Sequence, residues 1–169
     1  MAGKWVAIFP FIVIALMVIS LFLPIMTISL FHPIAINPEI TGEIMPLGGG
    51  LVDLIPVVPD TADLITGFTW VGIIFAIFYG LDAFLLFINA IRVMTGSKEL
   101  KKARKKWLIG GIAKIISQIV LIIVMTTVVT DALVDLGVTL GFIIGLGMIL
   151  TIVSGGILIF AWIIAKIAD

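Results

Sequence analysis

Four stretches of the chain are apolar almost without interruption: Trp5–Phe31, Phe68–Met94, Trp107–Thr130 and Leu136–Ala165. A helix crosses the hydrocarbon core of a bilayer in roughly 20 residues, each rising about 1.5 Å. Each stretch is long enough to cross with some tilt. The pattern therefore predicts an all-α integral membrane protein, a four-transmembrane-helix bundle built as a single membrane domain over 1–169. Between the first two stretches, 32–67 is punctuated by Pro33, Pro38, Pro46, Pro56 and Pro59 and by the triplet Gly48–Gly50. That punctuation predicts a long irregular outer loop. The second connection is 95–106, and the third, Asp131–Asp135, is so short that spans three and four form a tight antiparallel hairpin. Pro10 and Pro24 fall towards the two ends of span one, where a lost backbone hydrogen bond is easiest to replace, with Pro24 kinking its outer third.

Composition agrees with the pattern. The apolar fraction is 62%, the charged fraction 12% and the mean hydropathy +1.38, whereas soluble domains carry roughly half apolar and a quarter charged residues. A water-soluble fold of 169 residues has too much surface for its volume to hide that excess, and lipid solvates it instead. The first apolar run lacks an A-x-A cleavage pattern and is too long for a secretory h-region, so it reads as an uncleaved span, with a removed signal peptide as the alternative. The chain has no cysteine, which excludes disulfides, thiolate metal sites and a cysteine nucleophile together.

Charge sets the expected orientation. All ten basic residues fall on segments that alternation assigns to one side: Lys4, Arg92, Lys98, Lys101, Lys102, Arg104, Lys105, Lys106, Lys114 and Lys166. The other side carries Glu39, Glu43, Asp53, Asp60, Asp63, Asp131 and Asp135. Because positive residues stay cytoplasmic during insertion, both termini and the basic loop 95–106 are expected inside, most naturally at the cell membrane, with the acidic loop outside. Trp5, Trp107 and Trp162 are expected as inner interface anchors and Trp70 as the outer one. In topology alone this is similar to claudins, tetraspanins and connexins; their cysteines and loop signatures are missing, so no residue role carries over.

Asp82 is the one acidic side chain deep in a span, about 12 to 14 residues from either end of Phe68–Met94. An unpaired carboxylate there costs several kcal/mol, so it must face helices, water or a partner, or stay protonated. Asn89 follows it by seven residues and points the same way, and Tyr79 shares that face. Span three offers Lys114 and Gln118, four residues apart on one face, within a small-and-polar stripe that includes Gly110, Gly111, Ser117, Leu121 and Met125. Counted from the inner ends of the spans, Asn89 falls level with Lys114 and Asp82 level with Gln118. The expectation is an intramembrane cluster of Asp82, Asn89, Lys114, Gln118 and Tyr79 between spans two and three. Three readings stay open: interhelical polar glue, a proton or ion relay through Asp82, and a Lys114 that snorkels away from it.

Span four carries Gly141, Gly145, Ile152, Gly155 and Gly156 in one helical sector, read as a helix-packing face against another span or another subunit. The outer loop's Ile44, Met45, Leu47, Leu51, Val52, Leu54, Ile55, Val57 and Val58 are too many apolar residues for a free loop, so it should be packed on the helices, dip into the interface or be covered by another protein. Lys98, Lys101, Lys102, Arg104, Lys105 and Lys106 are read as fixing topology and meeting lipid headgroups. His32 is the single histidine; there is no metal-ligand cluster, no nucleophile elbow and no P-loop, so no catalysis, metal or cofactor is expected. The leading expectation is a small non-catalytic tetraspan subunit whose partners are the lipid bilayer and other membrane subunits or a second copy, without nucleic acid. An oligomeric ion or proton channel, or a transporter component, using Asp82 is the alternative, and a membrane-embedded enzyme the least favoured.

Overall fold

Two of the four apolar stretches change from helix to strand partway along. In the computed structural model of the protein, the described residues are 4–31, 39–44, 61–97, 99–124, 126–127 and 139–168. They form a 3-10 turn over Lys4–Ala7, helices α1 (Ile8–Ser20), α2 (Thr61–Met94), α3 (Leu100–Val124) and α4 (Leu146–Ile167), and strands β1 (Met26–Phe31), β2 (Glu39–Ile44) and β3 (Thr139–Ile144). Three helices are long and apolar enough to cross a membrane, and the helical stretch Lys4–Ser20 is apolar but shorter. The fold is thus mostly helical, as the hydropathy predicts, with a small sheet that the pattern did not predict. His32, the triplet Gly48–Gly50, the apolar run 45–58, Asp53, Asp60, Lys98, Met125, Asp131 and Asp135 lie outside the described residues.

The chain divides into two compact units. The first combines 1–19, 78–118 and 150–169, and its helices are joined by aromatic contacts. Phe11 of α1 meets Phe87 of α2 edge-on with ring centroids 5.9 Å apart, and Phe9 of α1 meets Phe160 of α4 at 5.7 Å. The buried positions recur every three or four residues: Val6, Pro10, Val13 and Met17; Tyr79, Ala83, Leu86, Ala90 and Val93; Ala103, Trp107, Gly111, Lys114 and Gln118; Thr151, Ser154, Leu158, Ala161 and Ala165. That spacing is the narrow seam of near-parallel helix packing. Its content inverts that of a soluble bundle. Gln118, Ser154, Thr151, Lys114 and Asn89 are buried, while Phe78, Leu81, Phe84, Leu85 and Ile116 are exposed. A surface of that kind is solvated by acyl chains, so the protein is membrane-embedded.

Contacts within this unit gather the basic residues at one end. α2 closes with Gly96 in the left-handed conformation (φ 78°), its N–H donating to Val93 O at 3.1 Å while Ser97 Oγ donates to Arg92 O. A side chain at Gly96 would meet the Lys4 amine, and Arg104 donates to the Ala165 carbonyl near the C-terminus of α4 at 3.3 Å, where a cation suits the helix dipole. The connection is far shorter than 95–106, because α3 starts at Leu100 and takes five of the basic residues into its first two turns. This moves Trp107. Expected as an interface anchor, it lies two turns into the helix on the packed seam, fully buried, whereas Trp5 and Trp70 are exposed.

The second unit combines 20–77 and 119–149. β1 is its central strand, antiparallel to both neighbours, with Met26 opposite Ile44 and Ile144 and Phe31 opposite Glu39 and Thr139. The register aligns the positions Met26, Ile28 and Leu30 with Ile44, Gly42 and Ile40 on one side and with Ile144, Phe142 and Leu140 on the other. Between them Thr27 and Ser29 align with Glu43 and Thr41 and with Ile143 and Gly141. Such alternation has the period of a half-buried sheet, not that of a helix.

Span one therefore ends as a helix at Ser20, with Pro24 just beyond it, and span four starts as one only at Leu146. Each break leaves backbone groups without helical partners, and the two breaks satisfy each other: Gly145 N donates to Ile25 O and Gly147 N to Pro24 O, both at 2.9 Å. The junction is buried, with Ser20, Ile25, Met26 and Met148 all fully covered. Buried backbone pairing is the condition under which non-helical chain is tolerated among apolar surroundings.

Candidate intramembrane polar site

The polar side chains singled out on α2 and α3 meet inside the first unit. Lys114 Nζ forms an ion pair with Asp82 Oδ2. One turn further along, Gln118 Nε2 donates to the Tyr79 hydroxyl at 2.9 Å and to Ser117 Oγ at 3.2 Å. The Tyr79 hydroxyl also hydrogen-bonds the Thr151 side chain, so α2, α3 and α4 share one network. Ser117 Oγ donates to Lys114 O and Ser154 Oγ to Thr151 O, returning those hydroxyls to their own helices.

The pairing is shifted from the level-by-level match expected from the span ends, by one turn for Asp82 and Gln118 and by two for Lys114. Asp82 is opposite Lys114 and Tyr79 opposite Gln118, while Asn89 lines a groove with Gly110. The reason is the early start of α3. Depth counted from Trp107 overlooks the turns of helix from Leu100 onward, and the antiparallel register is set by the tight turn after Met94.

Burial divides the pair unequally. The Lys114 side chain is 7% exposed and that of Asp82 38%. Asp82 opens onto a groove of about 310 Å³ between α2 and α3, lined also by Leu85, Leu86, Ile88, Asn89, Arg92, Lys106, Ile109 and Gly110. The ammonium has the carboxylate for a partner, whereas Gln118 Oε1 and Trp107 Nε1 are buried without a hydrogen-bond partner among the described residues. Sequence reading missed Thr151 and Ser154. Their spacing of three on an apolar helix was the available signal, masked by the glycines around them.

The glycines separate by role. Gly111 and Gly155 bring α3 and α4 into backbone contact: a Cβ on Gly111 would lie 2.7 Å from Gly155 O, and one on Gly155 2.8 Å from Gly111 O. Gly110 has only an ordinary neighbour, Leu158, at 3.8 Å, and Gly156 has open space around it. Gly141 and Gly145 do not belong to a helical face. Gly141 is in β3 opposite Ser29, and Gly145 is the residue between β3 and α4. Of the remaining basic residues, Lys101, Lys102, Lys105 and Lys106 are exposed on the first turns of α3, and Lys102 pairs with Glu99 at 3.4 Å.

The network has a direct test. Tyr79→Phe removes the hydroxyl that joins three helices and should cost about 1 kcal/mol, read as earlier unfolding in mild detergent. Ser117→Ala, at an exposed site, should stay within about 0.5 kcal/mol of wild type. Equal effects of the two substitutions would remove Tyr79 from the network.

Comparison with family models, with curated proteins and with solved structures finds no match, so no role is inherited from a relative.

Proposed function

We propose that the protein is a small non-catalytic tetraspan component of the cell membrane, packing with other membrane subunits or with copies of itself. The observation that carries this reading is how the buried polar groups of the first unit are used. Lys114 is committed to Asp82, and Gln118 to Tyr79, so the strongest polar interactions hold helices together. The four apolar stretches make four crossings, and both termini and the α2–α3 turn face the cytoplasm. The gathering of Lys4, Arg104 and Lys166 with that turn supports this orientation. A cysteine at Ser97 should then resist an impermeant thiol reagent applied outside, and one at Thr61, the first residue of α2, should react. The reverse pattern would sink the orientation.

Purification in mild detergent tests the role itself. Defined stoichiometric partners, or a fixed homo-oligomer, support a packing subunit; a monomer without partners in native membranes refutes it. One observation favours a second reading, ion or proton movement: Asp82 keeps more than a third of its side chain open to the groove. On that reading Asp82→Asn abolishes flux in liposomes while the fold survives. On the first reading there is no flux to lose and stability falls instead.

A further inference from the structure

We propose that the groove between α2 and α3 is a binding site for one anionic phospholipid, its phosphate held by Arg92 and Lys106 and one acyl chain lying against Leu85, Ile88 and Ile109. This inference stands apart from the subunit role and needs only that the basic end of the first unit lies at a headgroup layer.

The groove has the length of a single leaflet. From Arg92 at its mouth to Asp82 at its deep end are ten residues of α2, about 15 Å of rise, which is half of a hydrocarbon core about 30 Å thick. Its volume of about 310 Å³ is at the small end for ligand sites, suiting one chain of a lipid whose other chain remains in the bilayer. Its chemistry is graded in the same direction. Arg92 of α2 and Lys106 of α3 both line the groove, and Leu85, Leu86, Ile88 and Ile109 make most of the remaining wall aliphatic. Asn89 lies one turn beneath Arg92, at the level of the ester groups under a phosphate anchored there.

Charge complementarity selects the anionic class. Arg92 supplies a planar fork of donors matched to phosphate oxygens, and Lys106 a point charge across from it. Among the described residues neither side chain is occupied by a carboxylate, since Glu99 is taken by Lys102 and Asp82 by Lys114. The negative charge at the deep end is thereby neutralised and does not repel the headgroup. Gly110 and Asn89 both line the groove.

The test uses the full-length protein in mild detergent, titrated with phosphatidylglycerol or phosphatidylcholine, with bound lipid counted by native mass spectrometry. Wild type should retain phosphatidylglycerol in preference to phosphatidylcholine at one lipid per chain. Arg92→Gln with Lys106→Gln should weaken phosphatidylglycerol about 25-fold, roughly fivefold for each charge lost near the surface. Lys101→Gln with Lys102→Gln removes the same charge from the exposed side of α3 and should weaken it less than about threefold. Ile109→Trp leaves every charge in place, fills the groove, and should abolish retention. Melting temperature in the same detergent with added phosphatidylcholine checks that each variant folds; if the double variant does not, either single charge variant carries the test at about fivefold. Equal losses from the two charge pairs would mean diffuse attraction and overturn the site. So would an Ile109→Trp protein that retains the lipid, glycerol phosphate displacing it at comparable concentration, or a second copy of the chain cross-linked into the groove in its place.

Discussion

Gly145→Ala is expected to destabilise the protein by about 3 kcal/mol, near the upper end for overpacking at a tight contact. The added methyl would sit inside the van der Waals shell of Pro24 O and within 2.7 Å of Pro24 C and 2.8 Å of Ile25 C. These are backbone atoms with no rotamer to change. They are also held in place, since Gly145 N and Gly147 N donate to Ile25 O and Pro24 O. Relieving the clash breaks the contact that satisfies both interrupted segments. Gly156→Ala is the natural comparison, lying within α4 with nothing inside 4 Å of the place its methyl would take. There the ordinary helix preference applies, and stability should rise by about 0.5–1 kcal/mol. Thermal unfolding in detergent reads both. A Gly145→Ala protein as stable as wild type would mean that span four runs through that point as continuous helix.

Asp82→Asn should cost about 3–5 kcal/mol, because it leaves the Lys114 ammonium buried without its counter-charge. Lys114→Met should cost less, about 2 kcal/mol, since the carboxylate left behind still has its outlet on the groove. The double substitution should recover a large part of the sum, the signature of two groups that interact directly. Strict additivity in a double-mutant cycle would show that the two charges do not meet. The asymmetry between the single variants separates a buried lysine from a snorkelling one, for which Asp82→Asn would be nearly silent.

Hydropathy made the membrane embedding and the three long helices legible. α2 extends seven residues before the expected Phe68 and α3 starts seven before Trp107, because charged and polar turns are added to a helix outside the apolar window. Strand pairing was legible only in retrospect. Met26-Thr-Ile-Ser-Leu-Phe alternates with period two after Pro24, but a window about as long as a membrane span averages that alternation into continuous apolarity. Likewise Gly141 and Gly145, four apart, carry the same local signal whether they line a helix or bracket a strand.

By itself, then, the sequence determined that the chain is membrane-embedded, that three of its four apolar stretches carry helices long and apolar enough to cross, and that polar candidates for pairing sit on α2 and α3. Each of these follows from a local quantity, the free energy of transferring a residue or a short run of residues between water and hydrocarbon. Tertiary structure decided the one-turn register that sets Asp82 against Lys114, the contact between Gly111 and Gly155, the burial of Trp107, and the helix-to-strand breaks at Ser20 and Gly145. Those features depend on which backbone groups find partners across separations of up to about 120 residues, as between Ile25 and Gly145. A helix interrupted among apolar surroundings is stable only when a second interruption supplies its missing hydrogen bonds.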